Sequence, residues 1–424
     1  MLPCRGPAQM ITGLTVTGKQ QGTMNRAMEV DIVIIGGGIA GLWLLNRLRA
    51  EGHAAIVLEA DALGGGQTLA SQGIIHGGLK YALNGRLSPA SSAIAGMPAR
   101  WRKAMAGEDA VDLRGCRLLS PHYYMWSGGS LRSRLKTFLG SRALRGRIDP
   151  VAPAEQPAFL RDSARPGRLY QLEDFVVDTP DLLRRLGSLQ SRAIFRGADI
   201  RLHSIDHNRI QVELSGKTGK VQLDTTTLLL CAGAGNASLL QQLGQETPAM
   251  QRRPLHMVCV KGRKLPEAFL HCIGEDFGMT PKITISTHPA PDGSRYWYLG
   301  GELAESGLAL EPAEQQQRAA SWLQQLFPGI DFSDAQWSSF FIDRAEPATT
   351  DGRRPDSAYV HEEGPLITCW PSKLTLCPDL GDQVIDCLSR RQLSTDQPQG
   401  DITALDSLLH RPELASAPWE ELLP

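Results

Sequence analysis

The chain has 424 residues, room for roughly two or three domains, and its 44 Lys and Arg against 45 Asp and Glu leave a formal net charge of -1 at pH 7. That balance argues against a dedicated nucleic-acid binder, which needs a concentrated positive face to neutralise phosphates. The eight cysteines form no Cys-x-x-Cys pair, and several sit inside apolar runs, which argues against a zinc site or disulfide framework and fits thiols kept in a reducing compartment.

Residues 1–27 lack the apolar core of a signal peptide and read as a disordered leader, with Met24 and Met28 as alternative starts. No apolar run reaches the roughly eighteen residues of a membrane helix, so a cytoplasmic location is expected. From Asp31 the pattern sharpens. Ile32 to Ile35 predict a buried parallel strand, Gly36-Gly37-Gly38-Ile39-Ala40-Gly41 a tight turn into a helix, and Ala54 to Leu58 a second strand ending at Glu59. In a dinucleotide-binding unit Gly36 and Gly38 let the backbone approach a pyrophosphate, Gly41 lets helix pack on strand, and Glu59 meets a ribose hydroxyl. This unit alone leaves NAD, NADP and FAD open.

A second glycine-rich run, Gly64 to Gly73, leads into Ile74-Ile75-His76-Gly77-Gly78-Leu79-Lys80-Tyr81, small residues of the kind that line a flat cofactor. A helix is predicted near Ser91 to Ala106 and a strand over Leu118 to Trp126. Between Leu131 and Arg147 apolar residues recur at helical spacing among six basic ones, with no acid. Three readings stay open for it: a helix lying on anionic lipid, a positive mouth that steers acidic substrates, or a solvated face. Strand and helix alternate again from Gln171, and Thr226 to Cys231 predict another buried strand before Ala232-Gly233-Ala234-Gly235. Pro254 to Glu346 read as β-rich with one helix, Pro312 to Leu326; then come a strand at Pro365 to Trp370, a loop, and a helix from Pro378 to Arg390.

Gly233-x-Gly235-x-x-Ser238 is the only candidate for a second dinucleotide fingerprint, and it lacks the third glycine and a following acid-ended strand. One unit plus accessory glycine runs points to FAD. Asp31 to Glu59, Ser71 to Tyr81, Cys231 to Ala234, Asp351-Gly-Arg-Arg-Pro-Asp356 and Pro371-Ser-Lys-Leu-Thr-Leu-Cys-Pro378 together resemble the D-amino-acid oxidase superfamily of FAD enzymes, from Met28 to about Arg390. Ile75 to Tyr81 is similar to the matching run of glycerol-3-phosphate dehydrogenases and oxidases, and Ser372-Lys373-Leu374-Thr375 to their glycine-lysine-tryptophan-threonine loop. The late Arg-Arg-Pro and the β-rich middle look more like glycine or sarcosine oxidases.

The resemblance implies an α/β fold, a Rossmann-type FAD-binding domain with an inserted antiparallel β-rich substrate domain. The expected division is a leader (1–27), FAD-binding parts at 28–100, 171–250 and 346–395, a cap region at 101–170, the β-rich domain at 251–345, and a tail at 396–424. It implies hydride transfer from the C–H next to nitrogen of a small amine or amino acid, with oxygen or a quinone as acceptor. A 2-hydroxy acid, a glycerol-phosphate-like alcohol, or a macromolecule such as tRNA stay open as alternative substrates, and a non-catalytic FAD protein as the rival class.

Expected cofactor contacts are Gly36, Gly38, Gly41, Glu59, Ser71, Ala232, Gly233, Lys373, Leu374 and Thr375, with Thr68 as a further phosphate donor. Expected catalytic groups are Lys373 as the charge near flavin N1 and O2, His76 as a base poised near neutral pH, and Arg344 as the partner of a substrate carboxylate or phosphate. Surface ion pairing with Asp343 and Glu346 is the rival reading for Arg344. Tyr296 and Tyr298 share a strand face and wall either substrate or core. No metal site and no covalent flavin link through Cys369 or Cys377 is expected.

Overall fold

A computed structural model describes residues 27–78, 94–128, 148–163, 167–273, 281–352, 354–391 and 402–424. The leader up to residue 26, Leu79 to Tyr81 and the basic segment 131–147 lie outside the described residues. Among the described residues no helix is long and apolar enough to cross a membrane.

The cofactor sheet has six strands in the order Ile194–Arg196, Ala55–Glu59, Ile32–Ile35, Thr227–Leu230, Leu366–Trp370, Tyr359–Glu363. The first five run parallel and only the last pair is antiparallel. Ile-Val-Ile-Ile and Thr-Leu-Leu-Leu are buried along their whole length, as expected for central parallel strands covered on both faces. Helix Ile39–Ala50 covers one face. Its Trp43 packs on Trp101 of helix Met97–Ala106, ring centroids 4.8 Å apart. Asp382 of helix Cys377–Arg390 then receives Arg47 at 3.3 Å and Arg100 at 2.6 Å. These contacts hold the start of the last long helix beside the first.

The second large sheet has eight strands: Gln336–Pro347, Met250–Gly262, Arg295–Gly300, Ile283–Pro289, Leu270–Ile273, Tyr123–Gly128, Gly167–Leu172 and Ile148–Pro150. It is antiparallel except where Leu270–Ile273 runs parallel to Tyr123–Gly128. Strands from the expected cap region and from the expected β-rich domain therefore share one sheet. The strand expected over Leu118 to Trp126 is two strands, Leu118–Ser120 and Tyr123–Gly128, in different sheets. Pro121 stands at the break, where it has no N–H to give a ladder.

The tail is not a loose end. Leu63 N–H donates to Glu413 O at 2.8 Å and Ala415 N–H donates to Leu63 O at 3.1 Å, on the cofactor half. Farther on, Tyr296 Oη donates to Leu423 O at 2.9 Å and Lys261 Nζ to Pro424 O at 2.7 Å, on the eight-stranded sheet. Tyr296 is thereby committed to packing under the tail. Trp419 stacks on His288 with centroids 3.9 Å apart, and burial, with a smaller contribution from the Arg117 charge, pushes the His288 imidazole down to about 3.

A histidine that stays neutral when folded but titrates near 6.5 when unfolded stabilises the fold above that pH. This stability is lost as pH falls from 6.5 toward 3, by up to about 1.4 kcal/mol per pH unit. His288→Phe is expected to flatten the fall of Tm between neutral pH and pH 5; an unchanged slope would show that other groups carry it.

Candidate active site

The turn after strand Ile32–Ile35 is built for close backbone approach. Gly36 has φ +112°, and a Cβ there would lie 2.5 Å from Cys231 O; a Cβ on Gly41 would lie 1.9 Å from Gly36 O. Only glycine serves at either position. Gly37 N–H donates to Glu59 Oε2 at 2.6 Å, and Asp61 N–H to Glu59 Oε1 at 2.9 Å, so the carboxylate lies against the turn. Helix Ile39–Ala50 begins at Gly38 with no side-chain cap on its N-cap residue, and its positive end faces the turn. Thr68 Oγ1 accepts Ile39 N–H at 3.0 Å; that hydroxyl is tied to the helix start.

The second glycine run folds back on the same turn. Gly64 N–H donates to Gly37 O at 3.1 Å, and a Cβ on Gly233, at φ +56°, would sit 3.4 Å from Gln67 Oε1. Ala232 N–H donates to Asn236 Oδ1 at 2.8 Å, and Gly233 O accepts Trp370 Nε1 at 3.2 Å. Ser71 Oγ is buried with no hydrogen-bond partner among the described residues. An orphan hydroxyl, a glycine cradle open to close backbone approach and a carboxylate held beside a helix N-terminus fit a dinucleotide.

At the other end of the run, Thr375 Oγ1 donates to His76 O at 3.1 Å, and Trp101 Nε1 donates to Thr375 O at 3.0 Å. Gly77 N–H donates to the buried Asp174 carboxylate at 2.9 Å. The loop 371–376 thus lies directly on the His76 turn. Ser372 has φ +59°, a left-handed conformation that disfavours an L-residue and that the glycine of the similar loop adopts without strain. Arg354 Nη2 and Nε clasp Ser372 O at 3.0 and 3.3 Å.

Lys373 is no surface lysine: its side chain is only 3% exposed, with Nζ 3.7 Å from Asp356 Oδ1. Next to it, burial, then Lys373, Arg354 and His271, push the His76 imidazole well below its ordinary value. A base poised near neutral pH is therefore corrected to a neutral imidazole of weakened basicity. No described side chain hydrogen-bonds its ring nitrogens.

Arg344 Nη2 lies 3.4 Å from Glu305 Oε1, within a cluster where Arg253 Nη1 meets the buried Glu346 at 3.1 Å. Its partner is thus Glu305 rather than Asp343, its side chain is largely buried rather than on the surface, and its Nε has no hydrogen-bond partner among the described residues. Arg354 and His271 were missed by sequence reasoning. Arg354 lay inside the quoted Asp351 to Asp356 run without a role, and His271 is a lone histidine on an alternating strand, which carries no motif. Among the described residues no group of His, Cys, Asp and Glu has the form of a metal site.

The sequence profile of the FAD-dependent oxidoreductases known as DAO matches residues 31–366. A probable FAD-dependent oxidoreductase of Pseudomonas aeruginosa is 45% identical over 400 residues, covering 94% of this chain and 99% of the relative. The crystal structure of a P. aeruginosa FAD-dependent oxidoreductase superposes with TM-score 0.79 at 40% identity, over 94% of this chain and 99% of that one. Glycine oxidase from Geobacillus kaustophilus (TM-score 0.59, 18% identity, 87% and 97% coverage) and an L-α-glycerophosphate oxidase from Mycoplasma pneumoniae with FAD bound (0.62, 13%, 88% and 98%) share the fold. The chain belongs to the DAO family of FAD-dependent oxidoreductases, and FAD is its cofactor.

Proposed function

We propose that the protein oxidises a small amine or amino acid at the C–H next to nitrogen, with oxygen or a quinone as final acceptor. The observation that carries this reading is the buried Lys373 ammonium converging with a neutral His76 on one loop contact. Bound FAD supplies a hydride acceptor at N5. Gly36, Gly38 and Gly41 would hold its pyrophosphate, Glu59 its ribose, Ser71 a phosphate oxygen, and Ala232 and Gly233 the adjoining backbone. Lys373, Leu374 and Thr375 would hold the ring edge, where the ammonium offsets negative charge near N1 and O2.

The chain's remaining work is to prepare the substrate. An amine is an ammonium ion in water at neutral pH and must give a proton to solvent before its nitrogen lone pair can assist C–H cleavage. The cations Lys373 and Arg354 disfavour the ammonium form, and the neutral His76 imidazole would accept a hydrogen bond from the resulting amine. Arg354, whose guanidinium clasps the Lys373 loop and whose charge acts on His76, would hold a substrate carboxylate in place of Arg344. The pair of cations Lys373 and Arg354 also suits a phosphate, which favours a glycerol-phosphate-like alcohol as the second reading.

Anaerobic mixing with amino acids, N-methyl amino acids, 2-hydroxy acids and glycerol 3-phosphate separates the two by which class bleaches the oxidised flavin band. Because the acid limb of a histidine that must be neutral follows its lowered pKa, kcat/KM is expected to stay flat through pH 6.5 and to fall only at lower pH. A limb at or above 6.5 that disappears in His76→Asn would show instead that the free-enzyme histidine is readily protonated.

A further inference from the structure

Gln72 follows Ser71 and leaves the cofactor half altogether. Its Nε2 donates to Tyr298 O at 2.8 Å and to Thr284 O at 3.2 Å, carbonyls of two adjacent strands of the eight-stranded sheet. The sheet makes room for it, since a Cβ on Gly300, paired with Thr284, would lie 2.8 Å from Gln72 Oε1. Tyr298 returns the tie, its buried hydroxyl donating to Ala70 O at 2.8 Å. Three hydrogen bonds thus cross between residues 70–72 and the sheet.

Thr284 then acts on its neighbour. It pairs with His271 across the ladder, and its Oγ1 lies 3.1 Å from His271 Nδ1. The other face of that imidazole rests on Tyr123, centroids 4.6 Å apart, and Tyr123 Oη is itself fixed to Ile285 O at 2.7 Å. His271 is therefore oriented on two sides and partly exposed, and it is among the groups that depress the His76 imidazole. No described carboxylate pairs with it. A polar side chain held this firmly with one ring nitrogen unused has a ligand-facing edge.

We propose that Gln72 is the positioning residue that sets the substrate sheet over the cofactor loop, and that His271 is the substrate-facing group it presents opposite His76. This rests on the amine or amino-acid reading above and assigns the sheet's contribution to that site. His271 fixes the polar end of the substrate by a hydrogen bond from the sheet side, while the chemistry is prepared from the loop side.

The test uses the FAD-loaded enzyme and benzoate, a small carboxylate whose binding perturbs the flavin absorbance, alongside anaerobic flavin reduction by the best amino-acid donor. His271→Phe and Thr284→Val are expected to weaken benzoate and raise KM about 10-fold or more, the scale of a lost hydrogen bond to a charged ligand, with FAD content and Tm preserved. Thr284→Ser, which keeps the hydroxyl, should restore both. Gln72→Leu should give the same KM effect, and the Gln72→Leu/His271→Phe pair should be no worse than either alone.

Unchanged benzoate affinity in His271→Phe overturns the assignment, as do additive effects in the pair. So does a wild-type enzyme that binds no benzoate, since a site between the two histidines would admit one. If no amine or amino acid bleaches the wild-type flavin, the functional reading fails by itself, and the benzoate affinities still decide the role of His271.

Discussion

Gly41→Ala is expected to yield a protein that no longer retains FAD and that unfolds well below the parent. The added methyl would lie 1.9 Å from Gly36 O, a backbone atom, so relief requires the helix start and the strand end to separate. Overpacking of this kind costs on the order of 1–3 kcal/mol even where side chains can move, and here the backbone must. The same separation spoils the turn that receives the pyrophosphate. Gly66→Ala is the control: a Cβ there meets nothing within 4 Å, and full flavin content is expected. Flavin-to-protein absorbance ratio and Tm of the two variants decide the matter, and a Gly41→Ala protein with full flavin would show that helix and strand can part at this point.

Lys373→Met should leave the fold and FAD content largely intact, because its partner Asp356 is 47% exposed and can be hydrated when left alone. Its flavin reduction rate should fall by about 10²–10³, the scale seen when one preorganised electrostatic donor is removed. A second signature follows from the neighbouring imidazole. Lys373 helps depress the His76 pKa, so its removal should move the acid limb of kcat/KM upward in pH. A slower enzyme with an unmoved limb would mean that the ammonium acts only through loop packing.

The parts of the site that could be read from the chain are those written locally. Gly37 of the glycine turn and its acceptor Glu59 are 22 residues apart and belong to one strand-turn-helix-strand unit, so spacing specifies their meeting. Burial of Lys373 was not written in its loop; it comes from the Thr375 contact with His76 O, 299 residues away in sequence. The shared sheet was hidden for the same reason, since the pairing of Leu270–Ile273 with Tyr123–Gly128 joins two stretches that look independent. Arg344 and Arg354 were indistinguishable by residue type. What separates them is the partner each found, a carboxylate for Arg344 and a carbonyl of the Lys373 loop for Arg354. Even the tail, given no role by the sequence, grips both halves of the molecule.

The central strand of the cofactor sheet has consequences for how the molecule comes into being. Ile32–Ile35 meets Ala55–Glu59 early, but its other edge waits for Thr227–Leu230, and the tie between Asp31 O and Thr225 Oγ1 spans 194 residues. Closing so large a loop costs chain entropy before any contact rewards it, which places the protein among slow folders with a long-lived open strand edge. The Cys231 wall behind the glycine turn follows directly on that distant strand, so FAD is expected to join a chain that has largely folded, as a late brace rather than as a nucleus.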